Sequence, residues 1–166
     1  LPWLLAALLA ATLAAAVVTD LRTRRIPNRL TIPAFALALL LRFTLGGWDG
    51  SWGLFSGLLG AALAFAPFFL LALAGGMGMG DVKLVAVVGA CLGSGRILPA
   101  LFCIALVGGL QGAAAWLWSG SATRTLQRIG VRLLRGLGLS RAPLPSVRQV
   151  TVPYAVAIAL GTAWAM

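Results

Sequence analysis

The sequence predicts an all-α, polytopic membrane protein, and three observations carry that expectation. The 166 residues are 61% hydrophobic and 10% charged, with a mean hydropathy of +1.02. A water-soluble domain is about 45–50% apolar and about 25% charged, so the residues for a polar shell are missing here. The apolar residues also fall in blocks near the roughly 20 needed to cross about 30 Å of hydrocarbon as a helix.

The first block is Leu1 to Val18, nearly all Leu, Ala and Val. With no basic stretch ahead of it, it reads as a span rather than a signal-peptide core. The second runs from about Leu30 to Leu45, with Arg42 near its end placed to snorkel to the interface. A third goes from Trp52 to Ala74 and is expected to break at Pro67. The fourth, Val82 to Leu92, is short and closed by Gly93-Ser94-Gly95. A fifth covers Ile97 to Trp118 and ends in an interfacial Trp116/Trp118 pair, and the last occupies Thr151 to Met166.

Charge decides whether the fourth block spans. If it does, all of the 13 basic residues except Arg42 and Arg96 fall on one side of the membrane. If it dips in and returns, they divide almost evenly. The positive-inside rule selects the first arrangement, which has six spans, both ends outside and the basic loops in the cytoplasm. In the loop 119–150, Arg124, Arg128, Arg132 and Arg135 recur at helical spacing, with Leu126, Ile129, Leu133 and Leu137 on another face. That pattern predicts a basic amphipathic helix lying on anionic lipid of the inner leaflet. The net charge of +10 is read the same way, and nucleic acid is not expected as a partner. There are no repeats, and residues 1–166 read as a single domain containing that loop.

Composition removes several chemistries. There is no histidine, and the three acids are Asp20, Asp49 and Asp81, with no glutamate. An HExxH zinc site and a Ser–His dyad are therefore excluded. Cys91 and Cys103 lie inside apolar runs and form no CxxC, so they read as small buried hydrophobes. Neither a metal nor another cofactor is expected.

The acids then sort by position. Asp49, in Gly46-Gly47-Trp48-Asp49-Gly50, reads as an ordinary turn residue. Asp20 ends the first span and Asp81 begins the fourth, so both fall at the cytoplasmic edge. Alone, Asp81 could be a helix N-cap. Alone, Asp20 at a helix C-terminus faces the wrong end of the dipole and calls for a partner such as Arg22, Arg24 or Arg25.

The glycines of Gly75-Gly76-Met77-Gly78-Met79-Gly80-Asp81 favour a joint role. They make a poor helix, and a substrate strand could pair with such a backbone. Two close carboxyls would share one proton, the ionised one accepting a proton from water and the other hydrogen-bonding a scissile carbonyl. Which aspartate takes which role is not readable from the sequence.

At these residues the chain resembles the type IV prepilin peptidases, GxGD aspartyl proteases of the bacterial cytoplasmic membrane. Asp20-Leu21-Arg22-Thr23-Arg24-Arg25-Ile26-Pro27-Asn28 is similar to the family's first-aspartate loop. Gly78-Met79-Gly80-Asp81-Val82-Lys83-Leu84 is similar to its GxGD-x-K-L signature, and Val152-Pro153-Tyr154 to the opening of its final span. The resemblance implies that Asp20 and Asp81 are the catalytic pair, with Gly78, Gly80, Lys83, Pro27 and Asn28 as substrate-binding candidates. It implies cleavage of the basic leader of a prepilin or pseudopilin at the cytoplasmic face, as in the short members serving Flp-type pili. Larger members carry a cysteine-paired zinc domain between the first two spans and N-methylate the new terminus. The first loop here is about ten residues without cysteine, so a peptidase without methyltransferase activity is expected. The rival readings are a small transporter or proton relay through Asp20 and Asp81, and a non-catalytic pilus or secretion scaffold.

Overall fold

The computed structural model describes residues 2–74, 77–118 and 154–165, and every regular element among them is a helix. These are α1 (Trp3–Thr23), α2 (Asn28–Gly46), α3 (Leu54–Leu73), α4 (Met79–Leu92), α5 (Ser94–Trp118) and α6 (Tyr154–Ala165). By length and composition, α1, α2, α3 and α5 can cross a membrane. The predicted basic helix within 119–150 lies outside the described residues.

Chain contacts group Leu1–Gly108 with Pro153–Met166 as one unit and Gly109–Val152 as another. Only residues 109–118 of the second unit, the end of α5, are described.

At the centre of the first unit is the short α4. Its 14 residues span about 21 Å at 1.5 Å per residue, less than a bilayer core. Val82, Leu84, Val85, Val87, Val88 and Cys91 are nevertheless all buried, because α1, α2, α3 and α6 pack around the helix. A helix that is apolar on every side belongs inside a protein. The outward faces of the longer helices are apolar too, with Leu40, Phe43, Leu58, Leu70, Leu98 and Phe102 exposed. In water such faces would aggregate, and in lipid they are solvated.

Glycines set the tightest packing, between α3 and α4. A Cβ on Gly60 would lie 2.5 Å from the Gly89 carbonyl oxygen and 2.7 Å from the Gly93 carbonyl carbon. Bare backbones therefore touch where Gly60 meets the Gly89-x-x-x-Gly93 pair, the small-residue contact through which membrane helices associate closely.

Two expectations are corrected. Pro67 does not break α3, which runs unbroken from Leu54 to Leu73. In an apolar surround the rest of the backbone has no water to bond, so the helix continues past the missing N–H.

Arg42 does not snorkel. It is fully buried, with Nε donating to the Ala90 carbonyl at 2.6 Å and Nη2 to that of Cys91 at 3.1 Å. Nη1 reaches the carbonyls of Gly53 at 3.3 Å and Ser51 at 3.4 Å. The guanidinium thus takes the last carbonyls of α4, which have no partner within their own helix, at the negative end of that helix. Trp52 lies under it, 5.9 Å from ring centre to Cζ.

Candidate active site

The opposite end of α4 carries the acids. Gly78 is the N-cap and Asp81 the third residue of the helix, so Asp81 is not itself the N-cap. Its carboxyl folds back to a backbone hydrogen bond with Gly78, the half of a capping box in which the third helical residue reaches back to the cap. A Cβ on Gly78 would sit 3.2 Å from Asp81 Oδ2 and crowd that contact.

Gly80 solves a different problem. A Cβ there would lie 3.2 Å from Ile26 Cβ and 3.4 Å from the Ile26 backbone. A larger residue would have to push the start of α4 or the 24–27 turn aside by a few tenths of an ångström. Neither glycine has a positive φ, so close approach rather than unusual backbone accounts for both. Because the helix already begins at Met79, the non-helical backbone available for strand pairing among the described residues narrows to 77–78.

Asp20 reaches the same place from α1. The helix extends past it to Thr23 and closes with Arg24 in the left-handed region (φ 51°), whose N–H bonds the Asp20 carbonyl at 2.8 Å. Asp20 lies in the last turn of α1 with only 6% of its surface exposed. Arg22, Arg24, Arg25 and Arg29 are all exposed, and the described residues show no ion pair between them and Asp20. The carboxyl instead accepts the Ala155 N–H at 3.3 Å on Oδ2. That donor sits in the first turn of α6, and nothing in the sequence pointed to it.

The remaining candidates assemble around the pair. Pro27 caps α2, and Lys83 Nζ donates to Asn28 Oδ1 at 2.9 Å. One hydrogen bond thus straps the Pro-Asn turn to α4, two residues along the helix from Asp81.

Electrostatics completes the site. Asp81, which precedes the apolar run Val82–Leu92, is pushed up to about 6, mainly by burial and further by the charge of Asp20, with the Gly78 hydrogen bond opposing. A carboxyl raised in this way near a second carboxyl is the arrangement found in hydrolytic acid pairs. Asp81 takes up a proton on folding between its unfolded value of about 3.9 and about 6, so its stabilising contribution is full below about pH 3.9 and is lost as pH rises through about 6.

Asp81→Asn should therefore be more stable than the wild type at pH 8, by on the order of 2 kcal/mol after allowance for partial solvent exposure. The advantage should vanish near pH 4. Thermal melts in detergent at the two pH values measure this, and an equal gain at both would refute the electrostatic cause.

A sequence model described as "Type IV leader peptidase family" matches residues 7–113. A prepilin leader peptidase/N-methyltransferase of Bacillus subtilis (strain 168) is 43% identical over 111 residues, 64% of this chain and 42% of that protein. The chain thus spans about two fifths of that relative's length. No solved structure matches. The matched stretch holds Asp20, the Pro27-Asn28 turn and Gly78 to Lys83, whereas α6 lies beyond it.

Proposed function

This chain belongs to the type IV leader peptidase family, and from that premise we propose that it is a membrane aspartic endopeptidase cutting the basic leader from a prepilin or pseudopilin. The observation that carries this is the electrostatic coupling of Asp20 and Asp81, two carboxyls from different helices at one end of the bundle. The pair shares one proton up to about pH 6. The ionised member removes a proton from water as its oxygen attacks the scissile carbonyl carbon, while the protonated member hydrogen-bonds the carbonyl oxygen.

The site faces the cytoplasm of a bacterial inner membrane. This reading rests on the positive-inside rule, since Arg22, Arg24, Arg25 and Arg29 flank the acids while Arg42 and Arg96 lie toward the other end. In this arrangement six segments span, α4 and α6 being the short ones sheltered by neighbours. The basic 119–150 segment rests on anionic lipid, and residues 1–166 act as a single peptidase domain.

The apolar helix of the substrate lies against the lipid-facing surface, and its extended leader pairs with the backbone at 77–78, where Gly78 leaves room. Lys83, Asn28 and Pro27 fix the turn beside this backbone. Lys83→Met, which removes the strap, is expected to lower cleavage several-fold without unfolding the protein, read from initial rates on one substrate. The short first loop, with no cysteine, supports a Flp-type peptidase without N-methyltransferase activity.

The test is mass spectrometry of a Flp-type prepilin incubated with the purified protein in liposomes. The reading expects a shortened pilin with a free, unmethylated amino terminus. An intact prepilin would refute the peptidase function. A methylated terminus would refute the second part of the assignment.

A further inference from the structure

The two carboxyls are not equivalent in their surroundings. Asp20 sits in the last turn of α1, where the carbonyl end of the helix disfavours a negative charge. Among the described residues no cation pairs with it. Arg22 and Arg24 on its own segment and Arg25 beyond them make no ion pair with it, and Lys83 of α4 is bonded to Asn28. Among the described residues, the ionisable group that acts on the pair from another element is Asp81 of α4. What meets the Asp20 carboxyl is the first turn of α6, a helix of 12 residues, through the Ala155 N–H at 3.3 Å. The N–H groups of a first helical turn have no partners within their own helix, and they favour an anion. Among the described residues the Asp81 carboxyl has a backbone contact to Gly78, and burial works against its charge.

We infer that the N-terminus of α6 is a positioning element of the site, in which the Ala155 N–H holds Asp20 as the carboxylate and so makes Asp20 the base, with the shared proton on Asp81. This rests on the peptidase reading. In the forward step Asp20 takes a proton from water and the water oxygen bonds to the scissile carbon. The carbonyl π pair moves to oxygen, which takes the Asp81 proton and gives a gem-diol. On collapse Asp81 recovers a proton from one hydroxyl, the C–N bond breaks, and the leaving nitrogen takes the proton that Asp20 had accepted. Both carboxyls then return to their starting states. The inference also explains how a segment outside the matched stretch bears on the chemistry.

The chain's composition permits a site-resolved test. With three aspartates and no glutamate, carbon-13 labelling at aspartate Cγ gives three side-chain carboxyl lines, assigned by replacing each aspartate with Asn in turn. In the wild type the upper titration step of the pair should move the Asp81 carbon. A second protein carries the α-hydroxy analogue of alanine at position 155, which replaces the N–H by an ester oxygen and keeps the methyl group. There the upper step should spread onto the Asp20 carbon, and kcat on a prepilin should fall about tenfold with KM nearly unchanged. An upper step on the Asp20 carbon in the wild type overturns the inference, as does an ester variant with unchanged titration and kcat. If the wild type cleaves no prepilin the peptidase reading fails, yet the titration still reports where the proton sits.

Discussion

Asp20→Asn and Asp81→Asn are each expected to reduce prepilin cleavage by about a thousandfold while leaving the protein folded and inserted. The size follows from what each carboxyl supplies. Positioned proton transfer contributes about 10²–10⁴-fold, and an amide side chain can neither accept the proton of water nor donate one to a developing oxyanion. No neighbouring group can substitute, because the chain has no histidine or glutamate and its third aspartate, Asp49, is exposed in the α2–α3 turn. The loss is chemical rather than structural. Asp81→Asn is expected to melt higher than the wild type at pH 8, so inactivity accompanied by a higher melting temperature separates catalysis from folding. Single-turnover cleavage in liposomes, with melting curves on the same preparations, measures both. Full activity in either variant would end the aspartyl mechanism.

Arg42→Met has the largest expected structural effect. The substitution keeps an unbranched apolar stem and removes the charge, but it strips the donors from the buried carbonyls of Ala90 and Cys91, whereas Gly53 keeps the Gly57 N–H and Ser51 is exposed. A buried carbonyl left without a partner costs about 1–3 kcal/mol. Even with some relaxation, the loss should reach at least about 3 kcal/mol. Function should suffer as well. From Asp81 to Cys91, ten residues along α4, the rise is about 15 Å, and the helix transmits its axial position along that length. Freed at its C-terminal end, α4 can slide or tilt, and Asp81 then moves relative to Asp20. Lower thermal stability together with reduced cleavage is the expected pair of results. A variant as stable as the wild type would show that the buried guanidinium is not what fixes α4.

The sequence disclosed the helices better than it disclosed their relations. Leucine, alanine and valine blocks at membrane length mark α1, α2, α3 and α5, and the matched helices end within a few residues of those blocks. The ends differ where local signals compete. Apolar composition stops α1 at Val18, yet backbone bonding carries the helix to Thr23 and places Asp20 inside its last turn. The glycines before Asp81 read as a loop, yet α4 starts among them at Met79, since burial against Ile26 favours a helix whose side chains are absent where it must touch.

The candidate site was legible for the residues that sit in two short motifs, and the structure puts both motifs together. Other features depend on distant parts of the chain. Position near a span end suggests snorkelling for Arg42, and only the packing of α4 shows that its carbonyls require a donor. The bond from Ala155 to Asp20 joins residues 135 apart in the chain, and the donor is a backbone N–H, which every residue but proline has. No side-chain pattern could have marked it.

The coupled pair is tested most directly by kcat for Asp20→Asn, Asp81→Asn and the double replacement on one prepilin. If the two carboxyls act as one unit on one water, the double variant falls no lower than either single variant, because the first replacement already abolishes the step. Losses that multiply in the double variant would mean two independent contributions and would contradict a shared catalytic pair.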